Sequence, residues 1–481
     1  MNILFATSEV FPLIKTGGLA DVSAGLPAAL QNMQHDVRIV LPGYPGAMKQ
    51  GGRLTCVAEF TQDFPGKLML GRLPKSKVPV LFVDIAEYFQ RAGNPYSATD
   101  GHDWSDNARR FTAFSKVVQR IANDEFDLNW QPQVVHCNDW QTGLIPALLA
   151  QQETRPATIF TIHNIAYQGL FPASQFAQLD LPETLWNMDA LEFHGQLSFM
   201  KGGLAFADII NTVSPSYAEE ITTATFGYGL EGLLQHRQND LYGILNGIDY
   251  KEWNPARDSH LASGYSRSSL VKKNINKTAL QAAFGLPQRT DVPLIGMVGR
   301  MVEQKGYDLV ADALPDLLQQ DLQVVILGSG DKALETRLLG ISSLYDDKLG
   351  VKIGYDESLA HLLEGGSDIF LMPSRFEPCG LNQMYSQRYG TLPVVHYVGG
   401  LIDSVTHIME ETINDCSASG FQFYPANPEA MTQTLNRALD IYRNQPELWR
   451  ELVRNAMDKN FSWDHSAEEY LQLYQKAAKS Q

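Results

Sequence analysis

The sequence predicts an α/β protein of two doubly wound, Rossmann-like domains that face a central cleft. Three observations carry this prediction. Short apolar runs rich in Val and Ile alternate with longer amphipathic stretches, the pattern of a parallel sheet with helices on both faces. A polar, turn-rich stretch at 246–290 interrupts the alternation, which then starts again. The chain has 481 residues, more than the ~250–300 at which a single hydrophobic core stops growing.

In the first half, buried strands are expected at 2–6, 37–41, 78–84, 134–137, 158–162 and 208–213, with helices at 104–123 and 195–206. The segment 60–77 reads only as an exposed loop. In the second half, strands are expected at 292–299, 322–328, 351–354, 368–374 and 392–397, and helices at 304–319, 356–365 and 380–390. These place one domain at 1–245 and a second at 246–460. One more amphipathic helix follows at 461–481. The halves share an architecture but no sequence repeat.

The formal net charge is −16 and no long Lys/Arg run occurs, which argues against nucleic acid or an anionic membrane as partner. The four cysteines, Cys56, Cys137, Cys379 and Cys416, form no C-x-x-C pair, so neither a zinc site nor a disulfide framework is expected. The N-terminal apolar run is one strand long and lacks a basic leader, so it reads as the first buried strand and not a signal peptide. No apolar stretch approaches the ~18 residues of a membrane span. A cytoplasmic location is expected.

Ligands of doubly wound sheets bind beyond the carboxyl ends of the strands. After strand 2–6 comes Lys15-Thr16-Gly17-Gly18-Leu19-Ala20-Asp21. Its glycines let a backbone approach a ligand, the following helix offers N–H groups to an anion, and Lys15 adds a charge suited to phosphate. A tight turn with a solvated lysine explains the same residues equally well. After 134–137 comes Asn138-Asp139-Trp140, and after 158–162 comes His163-Asn164. Asp139 reads either as a cap of the next helix or as a ligand group beside His163. In the second half, Arg300 and Lys305 both follow a strand and together suit a diphosphate. Asn246-Gly247-Ile248-Asp249 reads as a hinge turn. The most specific stretch is Pro373-Ser374-Arg375-Phe376-Glu377-Pro378-Cys379-Gly380-Leu381, expected to open a helix at Gly380. There helix N–H groups would meet phosphate or sugar oxygens, and Glu377 would accept hydrogen bonds from sugar hydroxyls. Gly399-Gly400-Leu401 starts another helix in the same way.

These residues carry a family likeness. K-T-G-G-L-A-D, H-N, G-R-x-x-x-Q-K-G and S-R-F-E-P-C-G-L resemble the motifs of bacterial glycogen synthases and plant starch synthases. The resemblance spans essentially the whole chain and includes G-L-E-G-L-L at 229–234 and L-N-G-I-D at 245–249. It implies the GT-B fold and transfer of glucose, with retention, from ADP-glucose to the non-reducing end of an α-1,4-glucan such as glycogen or a maltooligosaccharide. It implies no metal and no cofactor, and a C-terminal helix that crosses back to the N-terminal domain. By the same resemblance, Lys15, Gly17 and Gly18 form the donor's phosphate loop. Arg300 and Lys305 neutralise the leaving diphosphate. Glu377 holds the transferred glucose, with Cys379, Gly380 and Leu381 beside it. Asp139, His163 and Asn246 line the glucose pocket, with Asp21 and Asn164 nearby. Tyr96 lies on the acceptor side, and Tyr355 meets the adenine ring. The catalytic set is Glu377, His163, Asp139, Arg300 and Lys305.

The sequence departs from the family pattern at Asn138 and Gln141, where His is usual, and at Asn382 and Val398, where Thr is usual. The last two bear on the donor, so UDP-glucose stands as the alternative donor. A non-catalytic glucan-binding relative stands as the alternative class. An α-glucan phosphorylase would share the architecture, but the chain is short for one and shows no motif for its pyridoxal phosphate. Oligomeric state is not set by the sequence.

Overall fold

The computed structural model describes residues 1–479; Ser480 and Gln481, the end of the expected C-terminal helix, lie outside the described residues. The chain divides into two compact units, Met1–Gly247 with Trp463–Gln481, and Ile248–Ser462.

The first unit is built on a nine-stranded sheet. Its strands are β1 (Asn2–Ala6), β2 (Asp36–Pro42), β3 (Thr55–Phe60), β4 (Gly66–Arg72), β5 (Pro79–Asp84), β6 (Val134–Asn138) and β7 (Ala157–Ile162). After a small separate sheet of β8 (Leu170–Pro172), β9 (Glu192–Phe193) and β10 (Gln196–Ser198) come β11 (Ile209–Thr212) and β12 (Leu241–Gly243). The spatial order is β12-β11-β7-β6-β1-β2-β5-β4-β3. β1 lies between β2 and β6, all parallel, with Phe5 opposite Ile39 and His136. Ile3, Leu4, Phe5 and Ala6 are fully buried, which is why this strand is continuously apolar.

Two expectations fail in this unit. The segment 60–77 is not simply a loop: β4 pairs antiparallel with both β5 and β3, so the sheet is mixed at one edge. An edge hairpin buries little of itself, here chiefly Leu68 and Phe60, and so lacks a long apolar run. The stretch 195–206 is helical only over Phe199–Phe206. Its first residues form β10, and Ser198 caps the helix by accepting a bond from the Lys201 N–H.

The second unit holds a six-stranded, wholly parallel sheet in the order β15-β14-β13-β16-β17-β18. Its strands are β13 (Leu294–Met301), β14 (Gln323–Gly330), β15 (Leu349–Ile353), β16 (Ile369–Met372), β17 (Leu392–His396) and β18 (Phe421–Phe423). The last strand carries no signal in the sequence beyond three residues.

The C-terminal helix, Trp463–Lys479, belongs to the first unit and begins two residues later than the sequence predicts. The Trp463 ring lies where a side chain at Gly25 would be, and the backbone and ring of Trp463 together crowd Gly247, so both positions favour glycine. Deeper in, the Tyr474 hydroxyl bonds His136 Nδ1 (2.8 Å) and the Tyr470 hydroxyl accepts from Asn211 Nδ2 (2.9 Å). Burial drives the His136 pKa down to about 3, so this pair is neutral. Trp463→Ala removes a large side chain from between two glycines that cannot fill the gap. It is expected to cost the first unit about 3–5 kcal/mol. Calorimetry should show the first unit's transition moved down while that of the second stays.

Candidate active site

In the first unit, the candidate residues follow the carboxyl ends of β1, β6 and β7. Asp139 does not cap the next helix. Its Oδ1 accepts the backbone N–H groups of His163 (2.9 Å) and Asn164 (3.4 Å), tying the end of β6 to the end of β7. Its backbone, at φ 59° and ψ 178°, occupies a region essentially reserved for glycine, which costs on the order of 1–3 kcal/mol. Burial raises its pKa to about 7, against the pull of the two N–H bonds, and the Glu9 charge adds to the rise. His163 is neutral, its pKa lowered by burial to about 3. Asn138 donates Nδ2 to the Ala6 carbonyl (3.0 Å), so its Oδ1 accepts from His163 Nε2 (3.0 Å), leaving Nδ1 as the ring's acceptor. Asn246 is buried, and its Oδ1 has no hydrogen-bond partner among the described residues.

The loop after β1 is organised by Glu9, a residue that the motifs do not single out. This buried carboxylate accepts the Thr16 N–H (2.5 Å), the Thr16 hydroxyl (2.5 Å), the Gly17 N–H (3.2 Å) and the Tyr96 hydroxyl. Two N–H groups that the sequence assigns to an anion are therefore taken. Those of Gly18 and Leu19 have no acceptor among the described residues. Lys15 pairs with Asp21 at 2.9 Å. The Tyr96 hydroxyl also meets Ser8 (2.9 Å), so it is fully engaged inside the unit. Neither Gly17 nor Gly18 is required by packing, since a Cβ at either would meet nothing within 4 Å. Their smallness has no cause within the fold, which fits a ligand arriving from outside it.

In the second unit, the central contact joins Lys305 Nζ to Glu377 Oε2 at 2.5 Å, and Ser374 Oγ donates to the same oxygen (3.0 Å). Glu377 is buried. The loop carrying it is strapped to the turn carrying Lys305: the Arg375 N–H donates to the Gln304 carbonyl (2.8 Å), and its guanidinium grips Asp308 (2.8 and 2.6 Å). Arg375 is thus a structural residue. Gly306, at φ 73°, passes so close to the Pro373 carbonyl that any Cβ would collide. Arg300 is exposed and makes no ion pair among the described residues. Cys379 is buried. Gly380 and Leu381 precede the helix, which runs over Asn382–Arg388 and not from Gly380. Gly380, at φ 72°, is left-handed and cannot itself be helical. Tyr355, just past β15, is 74% exposed.

Comparison with known proteins decides the family. Residues 2–236 match the starch synthase catalytic domain model, and residues 281–458 match the model for glycosyl transferases group 1. Glycogen synthase 1 of Methylococcus capsulatus is 54% identical over 99% of this chain and 97% of its own length. The glycogen synthase of Cellvibrio japonicus is 54% identical over 98% of each. The chain belongs to the bacterial glycogen synthase family. Among solved structures, the catalytic domain of starch synthase IV from Arabidopsis thaliana, bound to ADP and acarbose, superposes with a TM-score of 0.88 at 33% identity over 99% of both chains. Sucrose-phosphate synthase from Thermosynechococcus elongatus (TM-score 0.59, 16% identity, full coverage of both chains) shares the fold alone. The two Rossmann-like units are those of the GT-B class.

Seen within the glycogen synthase family, three of the four departures have physical accounts, and nothing in the structure explains Gln141. Asn138 takes the role of orienting His163 while bridging β6 to β1. Asn382 uses its amide to hold the Val298 carbonyl of β13 (3.1 Å). Val398 is 2% exposed, so its side chain is core, and the Gly399–Ser404 helix offers only backbone at its start.

Two expectations follow. The native pKa of Asp139 lies above its unfolded value, so its proton favours the folded state. That contribution is complete below pH ~4, falls as pH rises, and is lost above about 7. Asp139→Asn, which stays neutral, should therefore gain stability over the parent between pH 4 and 7 and hold the gain above it, as read from melting temperatures. Glu9→Gln should raise amide hydrogen exchange at Thr16 and Gly17 and cost about 1–3 kcal/mol. Tyr96→Phe should act in the same direction, and the double variant should fall short of additivity.

Proposed function

We propose that the protein transfers glucose from ADP-glucose to the non-reducing end of an α-1,4-glucan, with retention and release of ADP, as a cytoplasmic step of glycogen biosynthesis. The observation that carries this reading is the Lys305–Glu377 contact, with Arg300 close by in sequence and without an ion pair among the described residues. Two cations suited to a diphosphate and a buried carboxylate suited to sugar hydroxyls then serve one substrate that contains both. The full-length identity to curated glycogen synthases supports the same substrate class, as does a relative that binds ADP and acarbose.

In the proposed step, the bond between C1 of glucose and the diphosphate oxygen breaks, and C1 bonds to the acceptor hydroxyl oxygen. The departing phosphate oxygen takes the acceptor's proton on the same face, which preserves configuration. On the second unit, Arg300 and Lys305 neutralise the charge that develops on the diphosphate; on the first, Lys15 is the cation suited to phosphate, and no metal or cofactor enters the step. On the first unit, the His163 carbonyl is the group suited to the positive charge of the sugar ring. Glu377 holds the glucose hydroxyls. A covalent glucosyl adduct trapped on Asp139 or Glu377 would replace this scheme with double displacement.

Purified protein with glycogen and either ADP-glucose or UDP-glucose, assayed for nucleoside diphosphate release, tests the reading. Release with ADP-glucose is expected. Preference for UDP-glucose would move the donor assignment, and no release with either would leave a glucan-binding relative. Arg300→Ala should lower kcat ~100–1000-fold, the loss typical of a donor aimed at developing charge. Lys305→Ala should do the same and also destabilise the second unit, because it strands a buried carboxylate. Less than threefold loss in both variants would overturn the assignment.

A further inference from the structure

A groove of about 260 Å³ lies at the carboxyl ends of β17 and β18, lined by Tyr397, His407, Met409, Gln422, Phe423 and Tyr424. Tyr397 and Tyr424 directly follow their strands, and the Tyr397 N–H donates to the Phe423 carbonyl (2.9 Å). The two rings are 50% and 75% exposed. No part of the proposed step uses them.

The strand order locates the groove chemically. Along the sheet, the carboxyl ends present Tyr355 after β15, Arg300 on β13, Glu377 after β16, then Tyr397 after β17 and Tyr424 after β18. On the proposed reading these residues take base, phosphate and sugar in turn, and the groove lies beyond the sugar. It is also tied to the site: the Tyr424 ring lies parallel to that of His396 (centroids 6.1 Å apart), His396 Nδ1 donates to the Ser374 carbonyl (2.8 Å), and Ser374 holds Glu377.

The lining matches an uncharged, polyhydroxylated ligand. None of the six is an Asp, Glu, Lys or Arg. Burial and the neighbouring Arg437 lower the pKa of His407. His407 Nδ1 accepts the Gln422 N–H (2.8 Å), so the ring hydrogen sits on Nε2, where it faces only Arg437 (3.5 Å) and has no acceptor among the described residues. Arg437 itself donates to the Ile408 carbonyl (3.0 Å). Aromatic faces with polar tips suit a pyranose, which is apolar on its C–H faces and ringed by hydroxyls.

We infer that this groove is a second, non-catalytic binding site for α-1,4-glucan, in which Tyr397 and Tyr424 stack on glucose rings and His407 Nε2 donates to a sugar hydroxyl. The inference rests on the glucan-transfer reading. Its consequence is local: a long chain held there has its ends at raised effective concentration, whereas an acceptor of three glucose units is too short to benefit.

The test is the double variant Tyr397→Ala/Tyr424→Ala, with Tyr424→Phe as the variant that keeps the ring. Both tyrosines are exposed, and unchanged melting temperature checks the fold. Retardation in a native gel containing glycogen, which needs no turnover, should fall in the double variant and persist in Tyr424→Phe. Half-saturation for glycogen should rise about tenfold, with kcat and KM for maltotriose and KM for ADP-glucose unchanged. Equal retardation and equal glycogen half-saturation in parent and double variant would overturn the site. So would a shift confined to the ADP-glucose KM, which would make the groove part of the donor pocket. Loss of retardation in a protein that transfers no glucose would uphold the groove while refuting the transferase reading.

Discussion

Parallel pairing sends every carboxyl end of a sheet to the same edge, and the placement of the candidate residues depends on that constraint. Side chains from distant parts of the chain meet because their strands are neighbours. Asp139 reaches the N–H groups of His163 and Asn164 because β6 and β7 run side by side. Lys305 reaches Glu377, 72 residues away, because β13 pairs with β16. Where pairing turns antiparallel, at β4 and β3, the candidate residues stop.

The two units differ in the charge that they offer. The first gathers Glu9, Asp21 and Asp139 around a loop with one lysine, and that lysine is paired. The second offers Arg300, without an ion pair among the described residues, and a lysine beside one carboxylate. The first unit also carries the clearest strain, in the backbone of Asp139 and in a carboxyl buried against its ionisation. Such strain is concentrated at functional sites because neighbouring structure can hold it there.

Much of this was readable before any coordinates. Continuous apolar runs betray strands covered on both faces, so the central strands of both sheets were legible to within about two residues. Residues in named motifs, such as Lys15, Arg300 and Glu377, announce themselves by spacing. Glu9 does not: nothing in T-S-E-V distinguishes an acid that will hold a loop from one that will face water, and its role arises only when residues 16–17 and Tyr96 fold onto it. The commitment of Arg375 to Asp308 was hidden for the same reason, since a motif position shows a residue type and not its partner. The hairpin of β3 and β4 was missed because edge strands are half exposed and lose the apolar signal. Tyr397 and Tyr424 belong to no motif, and only the adjacency of β17 and β18 makes them a pair.

The return of the C-terminal helix to the first unit has a consequence for biosynthesis. The first unit closes over β6 and β11 with Tyr470 and Tyr474, and over Gly25 and Gly247 with Trp463, all of which leave the ribosome after the second unit. The entire second unit is translated in between. At about 5–20 residues per second, the nascent first unit waits on the order of ten seconds or more with the polar groups of His136 and Asn211 and the surface around Gly25 uncovered. The second unit, contiguous in sequence, has no such delay, so the order of completion during synthesis is the reverse of the order of translation.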